Sequence, residues 1–115
     1  MNAGLQTIIY PVSDLERAKA HYSALLGIPP AQDESYYVGY ALGDQHLGLD
    51  PNGAARGMTG PIGYWHVEDI DKMVETLIAQ GAMVRSAVQE VGAGRRVAVL
   101  ADSDGNPIGL VSDSD

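Results

Sequence analysis

The sequence predicts an α+β fold built from two tandem βαβββ modules, which form a curved mixed sheet with the helices on its outer face. The first observation is TIIYPVSDLERAKAHYSALLG at residues 7–27, an apolar strand that turns into an amphipathic helix. The second is a weaker copy of this pattern that begins at Ile62. VSDL at 12–15 matches VEDI at 67–70, at a constant offset of 55 residues. The chain therefore carries an internal repeat.

The ends of the two halves support the same repeat. LGL at 47–49 matches IGL at 108–110, at an offset of 61 residues. With 115 residues, the chain is near the commonest domain size. We therefore predict a single domain over 1–115, with module 1 at about 5–50, a linker at about 51–61 and module 2 at about 62–112.

Each element of the first module has a local signal. Residues 5–12 are rich in Ile, Tyr and Val and predict a strand. Ser13-x-x-Glu16 predicts a capping box at the start of the following helix. Two strands follow at about 36–42 and 45–50, joined by a Gly-Asp turn. Helical spacing predicts that one stripe packs on the sheet: Leu15, Ala18, Tyr22 and Leu25.

The second module repeats this order. A strand at 62–67 leads into a helix at about 69–80. Strands at about 95–101 and 107–112 are joined by DSDGN, a strong turn sequence. Between helix and strands, residues 88–94 predict a short strand followed by a loop.

Composition excludes several classes of function. Seven basic and 15 acidic side chains give a net charge of −8, which argues against nucleic acid or an anionic membrane as a partner. With no cysteine, there is no disulfide, no thiolate nucleophile and no Cys-ligated zinc. No apolar window is long enough to span a bilayer, and the N-terminus lacks a signal pattern, so we predict a cytoplasmic protein.

Three segments resemble motifs of the vicinal oxygen chelate superfamily, which includes glyoxalase I, bleomycin-resistance proteins and extradiol dioxygenases. They are VSDLERAKAHYSALLG, VEDIDKMVETLIAQGA and DSDGNPIGLV, in which Ser103 stands where the family usually has proline. The resemblance covers nearly the whole chain. It implies the family's fold, a small-molecule ligand held on the concave sheet face, and a homodimer.

The resemblance also implies where a metal would bind. The family's metal enzymes take one ligand from the first strand and one from the last strand of each half. Those positions are here Thr7 and Gly48, and Ile62 and Gly109. Three of them offer no side-chain lone pair, and a lone hydroxyl is a poor ligand for Zn²⁺ or Fe²⁺. We therefore predict no metal and no other cofactor, and we expect the two glycines to enlarge the pocket.

If these four positions face the pocket, strand alternation adds their neighbours. The predicted ligand-binding pocket then consists of Thr7, Ile9, His46, Gly48, Asp50, Ile62, Tyr64, His66, Gly109 and Val111. The residues predicted to pack beneath the helices are Ile8, Tyr10, Val12, Leu47, Leu49, Trp65, Val67, Ile108 and Leu110.

Two histidines are the candidate catalytic groups. His46 and His66 are the titratable bases on the predicted pocket face. A displaced metal site made by both histidines and Asp50 is the less favoured alternative. One parity of the third strand also places Tyr36 and Tyr40 on this face, where they could stack on a planar ligand. The sequence leaves open which face Tyr36, Tyr37 and Tyr40 use.

Two functions follow. The favoured one is a metal-independent small-molecule binding protein of the glyoxalase/bleomycin-resistance type, which sequesters a planar or aromatic compound. The alternative is a lyase- or isomerase-type enzyme of the same superfamily, with His46 or His66 as general base and with or without a displaced metal. The sequence leaves open whether a reaction is catalysed. A structural or regulatory partner domain is a third possibility that no motif favours.

Overall fold

The computed structural model describes residues 2–113 and confirms the α+β fold class. Two helices, α1 (Leu15–Leu26) and α2 (Ile70–Ala79), accompany eight strands of a mixed sheet. A short 3₁₀ helix spans Ala54–Arg56. The strands are β1 (Asn2–Pro11), β2 (Gln32–Glu34), β3 (Tyr37–Leu42), β4 (Gln45–Asp50), β5 (Ile62–Val67), β6 (Met83–Gly92), β7 (Arg95–Ala101) and β8 (Pro107–Asp113).

The chain divides into two compact units. The first-half unit is Thr7–Ile62, and the second-half unit contains the described residues up to Gln6 and from Gly63 onward. Strand β1 therefore contributes residues to both units. In the second-half unit, the Leu5 side chain lies 2.7 Å from the point where a Cβ on Gly63 would be.

The first-half unit has the strand order β2-β3-β4-β1, with β1 and β4 parallel and the other pairs antiparallel. Its buried core of Val38, Tyr40 and Leu49 packs against α1 and neighbouring side chains, namely Tyr10, Val12, Leu15, Ala18, Tyr22, Leu26, Ile28 and Leu47. The predicted stripe is wrong at one position. Leu25 is 75% exposed, and Leu26 packs on the sheet in its place.

Both α-helices begin in the same way. The side chain of Asp14 accepts a hydrogen bond from the Arg17 amide at 3.1 Å, and that of Asp69 accepts one from the Lys72 amide at 3.1 Å. The φ angles of the two capping residues are −129° and −127°, with ψ at 95° in both. The predicted capping box at Ser13 is therefore wrong, because the aspartate that follows it is the N-cap.

The second-half unit has the strand order β5-β8-β7-β6, with β5 and β8 parallel. Its core consists of Val67, Ile70, Ala98, Leu100 and Leu110, packed against Met73, Val74, Leu77, Ala82, Val88 and Ile108.

The prediction that Trp65 packs beneath a helix is wrong. Its side chain is 40% exposed and lies outside the core cluster. Helix α2 has ten residues, which makes it about 15 Å long. It packs against the core residues of β5, β7 and β8 and leaves Trp65 partly in solvent.

Strand β6 is longer than predicted. It runs from Met83 to Gly92 rather than within 88–94, and nearly all of it is exposed. An exposed strand at the edge of a sheet needs no apolar alternation, so its sequence gave little signal. Within residues 2–113, neither helix has the length and mean hydropathy that crossing a bilayer requires.

Candidate functional site

In the first-half unit, the Tyr37 ring lies across two glycines. A Cβ on Gly48 would be 2.0 Å from Tyr37 Oη and 2.7 Å from Cζ, and a Cβ on Gly39 would be 3.1 Å from Cε2. Gly39 and Gly48 are cross-strand partners, and Gly48 is also the partner of Ile9. The ring therefore extends from Tyr37 on β3 over Gly39 to Gly48 on β4. Its hydroxyl stands beside the Ile9 side chain, which is 2.6 Å from the same Cβ point.

The second-half unit has a corresponding pair. Tyr64 is the cross-strand partner of Gly109. A Cβ on Gly109 would be 2.7 Å from Tyr64 Cδ2, 2.8 Å from Cγ and 2.6 Å from the carbonyl oxygen of Gly63. Real Cβ atoms essentially never approach other atoms below 3.0 Å, so a side chain at this position requires other atoms to move. The part of the Tyr64 ring that covers Gly109 is therefore the part next to its own Cβ.

These two pairs overturn one expectation. The glycines at the last-strand positions do not enlarge a pocket, because a tyrosine fills the space above each. In strands, a glycine that is covered by an aromatic ring from a neighbouring position is a known way to shield its backbone. The nearest polar group is the Tyr37 hydroxyl at Gly48, whereas at Gly109 it is the backbone carbonyl oxygen of Gly63.

The ten predicted pocket residues differ widely in exposure. His46 is exposed, and Ile9, Tyr64 and His66 are half-buried. The remaining six are buried, namely Thr7, Gly48, Asp50, Ile62, Gly109 and Val111. Thr7 and His46 are direct cross-strand partners, as are His66 and Val111. The assignment of these residues to a ligand-binding pocket stays a prediction.

The buried carboxylate of Asp50 has structural partners. One oxygen accepts a hydrogen bond from the Asn52 amide at 2.8 Å, and the other forms an ion pair with Arg56. The Asp50 side chain is 7% exposed, whereas that of Arg56 is 64% exposed. The pair joins the end of β4 to the 3₁₀ helix.

The four positions that the family resemblance assigns to a metal do not fit a divalent ion. Ile62 and the two glycines have no donor atom, and a lone Thr7 hydroxyl is a poor ligand. Tyrosine atoms occupy the space above both glycines. Within residues 2–113, no group of three His, Asp or Glu side chains is placed to hold a metal ion.

The parity of β3 separates its tyrosines. Tyr40 is 2% exposed on the helix side, where its hydroxyl donates to the Lys19 carbonyl at 3.0 Å and lies 2.8 Å from Ser23 Oγ. The alternative with Tyr40 on the pocket face is therefore wrong, and Tyr37 faces that side. Tyr36 lies in the preceding turn and is 59% exposed. The spacing Tyr37-x-Gly39 was the available signal, because a ring at i has room over a glycine at i+2.

Two groups with shifted pKa values, Lys19 and Asp102, are not among the predicted pocket residues. Hydrogen bonds to Asp33 (3.1 Å), and secondly the ion pair with Glu16 (3.3 Å), raise the pKa of Lys19 above 10.5. A hydrogen bond from the Asn106 side chain (3.0 Å), followed by one from its backbone amide (2.8 Å), lowers the pKa of Asp102 below 3.8. Lys19 and Asp33 also line a shallow depression of about 540 Å³ beside α1. Both shifts arise from local pairs on the surface.

The comparison with protein families agrees with the fold. Residues 4–110 match the family model of the Glyoxalase/Bleomycin resistance protein/Dioxygenase superfamily, and the chain belongs to this superfamily. No curated protein sequence matches the chain.

Solved structures share the fold. Methylmalonyl-CoA epimerase from Mycobacterium tuberculosis superposes with a TM-score of 0.76 at 21% identity, covering 99% of this chain and 90% of that chain. A variant of the Streptomyces coelicolor methylmalonyl-CoA epimerase in complex with 2-nitronate-propionyl-CoA gives 0.73 at 17% identity, covering 100% of both chains.

A glyoxalase/bleomycin resistance protein/dioxygenase superfamily member from Vibrio splendidus 12B01 gives a TM-score of 0.73 at 14% identity, with 99% of this chain and 100% of that chain covered. At such identities the likeness extends to the fold and not to the chemistry.

Proposed function

We propose that this chain is a metal-independent small-molecule binding protein of the glyoxalase/bleomycin-resistance type, which binds a planar or aromatic compound on the tyrosine-bearing sheet face of one of its two units. The observation that carries the proposal is the placement of Tyr37 over Gly48 and of Tyr64 over Gly109. Each tyrosine covers one of the two last-strand positions at which the family resemblance implies a metal ligand. An aromatic side chain stabilises a planar ligand by stacking, and its hydroxyl adds one directional contact.

Charge narrows the ligand class. The net charge of −8 disfavours a ligand that carries several phosphates. Six of the seven basic residues already have a carboxylate or carbonyl partner, namely Arg17, Lys19, Arg56, Arg85, Arg95 and Arg96. A neutral or cationic aromatic compound therefore fits the chain better than a phosphate-rich one.

Calorimetric titration tests this proposal. The panel consists of planar aromatic compounds, including 2-acetylnaphthalene and 2-ethylnaphthalene, titrated into wild type, Tyr64→Ala and Tyr36→Ala. We expect saturable binding that weakens roughly fivefold in Tyr64→Ala, because a stacking pair contributes about 1 kcal/mol. Tyr36→Ala is the matched control, since that ring is exposed in a turn.

Elemental analysis of the purified protein is the second test. The proposal requires less than stoichiometric transition metal and binding that does not depend on it. One equivalent of Zn, Ni or Fe per chain, lost together with ligand binding, contradicts the proposal.

A second function, an isomerase-type enzyme, is favoured by the position of one histidine. His66 is half-buried on β5, two residues after Tyr64 and therefore on the same face. A histidine in such a position suits proton transfer at neutral pH. Two structural neighbours are methylmalonyl-CoA epimerases, which supports this class of reaction as the alternative.

Proton exchange separates the two functions. Hydrogen–deuterium exchange at the carbon next to the carbonyl of 2-acetylnaphthalene is followed by NMR in deuterated buffer. The enzyme reading requires catalysed exchange that His66→Gln or His46→Gln lowers at least tenfold, as expected for loss of a general base. His21→Gln, on the exposed side of α1, is the control. Exchange that is no faster than in buffer leaves the binding function as the better account.

The homodimer stays a prediction that light scattering tests.

A further inference from the structure

We propose that Gln89 of β6 selects the polar group of the ligand on the second-half face, which is the sheet face of the second-half unit that carries Tyr64. The side-chain amide of Gln89 is both a donor and an acceptor. It therefore favours a planar ligand with a neutral carboxamide-like group, which also donates and accepts. This inference rests on the proposed binding function and names the polar group that such a ligand carries. Gln89 was not among the predicted pocket residues.

The first argument is the register of β6 against β7. Ser86 is the cross-strand partner of Val99, and Gln89 is the partner of Val97. Directly opposed residues of antiparallel strands share a face of the sheet. Val97 and Val99 alternate with Ala98 of the helix-side core, so they lie on the face opposite α2. Ser86 and Gln89 therefore both belong to that face.

The second argument is the irregularity that this register requires. In a regular strand, two residues that are three positions apart face opposite sides of the sheet. Between Ser86 and Gln89, however, the register of β6 shifts by one residue, as in a β-bulge. Val88 packs against the helix-side core, while Gln89, the next residue, faces the other side. Bulges often redirect a side chain beside a functional site, and the side chain redirected by this one is that of Gln89.

The third argument is the row of side chains that ends at Gln89. Val97 is opposite Val111, and Val111 is opposite His66. The row therefore crosses three inter-strand spacings, or about 14 Å, with two valines between its polar ends. A flat apolar ligand thus finds a valine floor with an amide at the β6 end. The neighbouring row continues this floor towards the aromatic ring and consists of Ser86, Val99, Gly109 and Tyr64.

The fourth argument is access and charge. Val97 is half-buried and Gln89 is exposed, so this end of the row is open to a ligand. Within residues 2–113, the Gln89 side chain has no hydrogen-bond partner. The charged side chains at the end of the same face are paired with each other, because Arg95 donates to Asp113 at 2.7 Å. The polar group that a ligand meets beside Val97 is consequently a neutral amide, which agrees with a neutral ligand.

The test compares three matched probes. 2-Naphthamide donates and accepts, 2-acetylnaphthalene only accepts, and 2-ethylnaphthalene does neither. Each is titrated calorimetrically into wild type, Gln89→Met and the control Gln80→Met, in which an exposed glutamine at the end of α2 is changed. We expect Gln89→Met to bind 2-naphthamide roughly three- to tenfold more weakly and 2-ethylnaphthalene unchanged, as loss of one hydrogen bond implies. Gln80→Met leaves all three affinities unchanged.

Gln89→Glu separates the two directions of the contact, because it keeps the shape and the acceptors but loses the donors. It is expected to weaken 2-acetylnaphthalene as much as Gln89→Met does, while 2-naphthamide keeps the bond that its own N–H donates. Affinities for the three probes that stand in the same ratio in wild type and Gln89→Met overturn the inference and leave the binding function intact. Binding of none of the probes by wild type overturns both.

Discussion

The two halves of the chain share a frame but fill the corresponding last-strand position differently. Asp14 and Asp69 cap their helices with the same backbone angles and the same 3.1 Å hydrogen bond. At the last-strand glycines, however, the covering ring comes from a different strand in each half. The repeat therefore predicts the helices and strands that the two halves share. The side chains that cover the last-strand glycines come from non-equivalent positions, so the repeat does not predict them.

The two tyrosines cover their glycines with different parts of the ring. Over Gly48 lies the hydroxyl end of Tyr37, which comes from an antiparallel neighbour. Over Gly109 lie the first ring atoms of Tyr64, from a parallel neighbour, together with the backbone oxygen of Gly63. A larger residue at Gly48 would therefore collide with the ends of two side chains. A larger residue at Gly109 would also collide with a backbone oxygen.

Gly109→Ala is expected to have the largest effect on stability. Its Cβ would overlap a carbonyl oxygen that moves only with the strand, so we expect a loss of about 3 kcal/mol in the free energy of unfolding, measured by urea denaturation. Adding Tyr64→Ala should not restore it, because the carbonyl remains. Gly60→Ala is the control, since nothing lies within 4 Å of its Cβ position. A loss as small as that of the control contradicts the assigned geometry.

Gly48→Ala is expected to cost less, about 2 kcal/mol, because the tips of two side chains are able to give way. Here the double variant with Tyr37→Ala should recover at least about 1 kcal/mol relative to additivity, since the two atoms that collide are gone or free to move. If the double-variant cycles of the two halves gave the same coupling energy, the contrast between them would be lost.

The helix caps are expected to give smaller and equal effects. Asp14→Ala and Asp69→Ala should each lower the free energy of unfolding by about 1 kcal/mol, the usual cost of losing an N-cap. Ser13→Ala should change it by less than about 0.5 kcal/mol, because Ser13 is exposed and precedes the cap. A larger loss for Ser13→Ala than for Asp14→Ala would restore the capping box predicted from the sequence.

The smallest expected difference between the two halves lies in the stability that their hairpin turns contribute, and this difference depends on pH. The β3–β4 turn is Gly43-Asp44, whereas in the β7–β8 turn Asn106 lowers the pKa of Asp102 below 3.8. A lowered folded-state pKa stabilises the protein above pH 3.8, and this contribution is lost as pH falls through the folded-state pKa. Asn106→Ala should therefore destabilise the protein at pH 7 and less so at pH 2.5. Ser103→Ala in the same turn is the control, and a deficit for Asn106→Ala that stays equal at both pH values contradicts the assignment.

Much of the fold followed from local signals. The bounds of β4, β5 and β7 agree with the predicted ones because turn residues or prolines flank apolar runs. The predicted βαβββ order includes a strand before β3, but no bounds were predicted for it, because the three residues of β2 are polar and exposed. Leu25 was misplaced because both the third and the fourth residue after Tyr22 continue a helical stripe, and the tertiary contact decides between Leu25 and Leu26.

The site was less predictable than the fold. The absence of metal ligands at Thr7, Gly48, Ile62 and Gly109 was readable from the sequence. For Tyr37 the sequence offered only the spacing Tyr37-x-Gly39, which does not fix its face, because a shift of one residue in β3 exchanges its face with that of its neighbours. What fills the space above a glycine depends on cross-strand register, which a sequence of three nearby tyrosines does not specify.

The most direct test of the central claim, metal-independent binding on a tyrosine-bearing face, is the dissociation constant of 2-acetylnaphthalene measured before and after exhaustive chelation with EDTA. The account predicts values that agree within about twofold, since none of the groups proposed to bind the ligand needs an ion. Loss of binding after chelation, restored by one equivalent of a divalent metal, would contradict it.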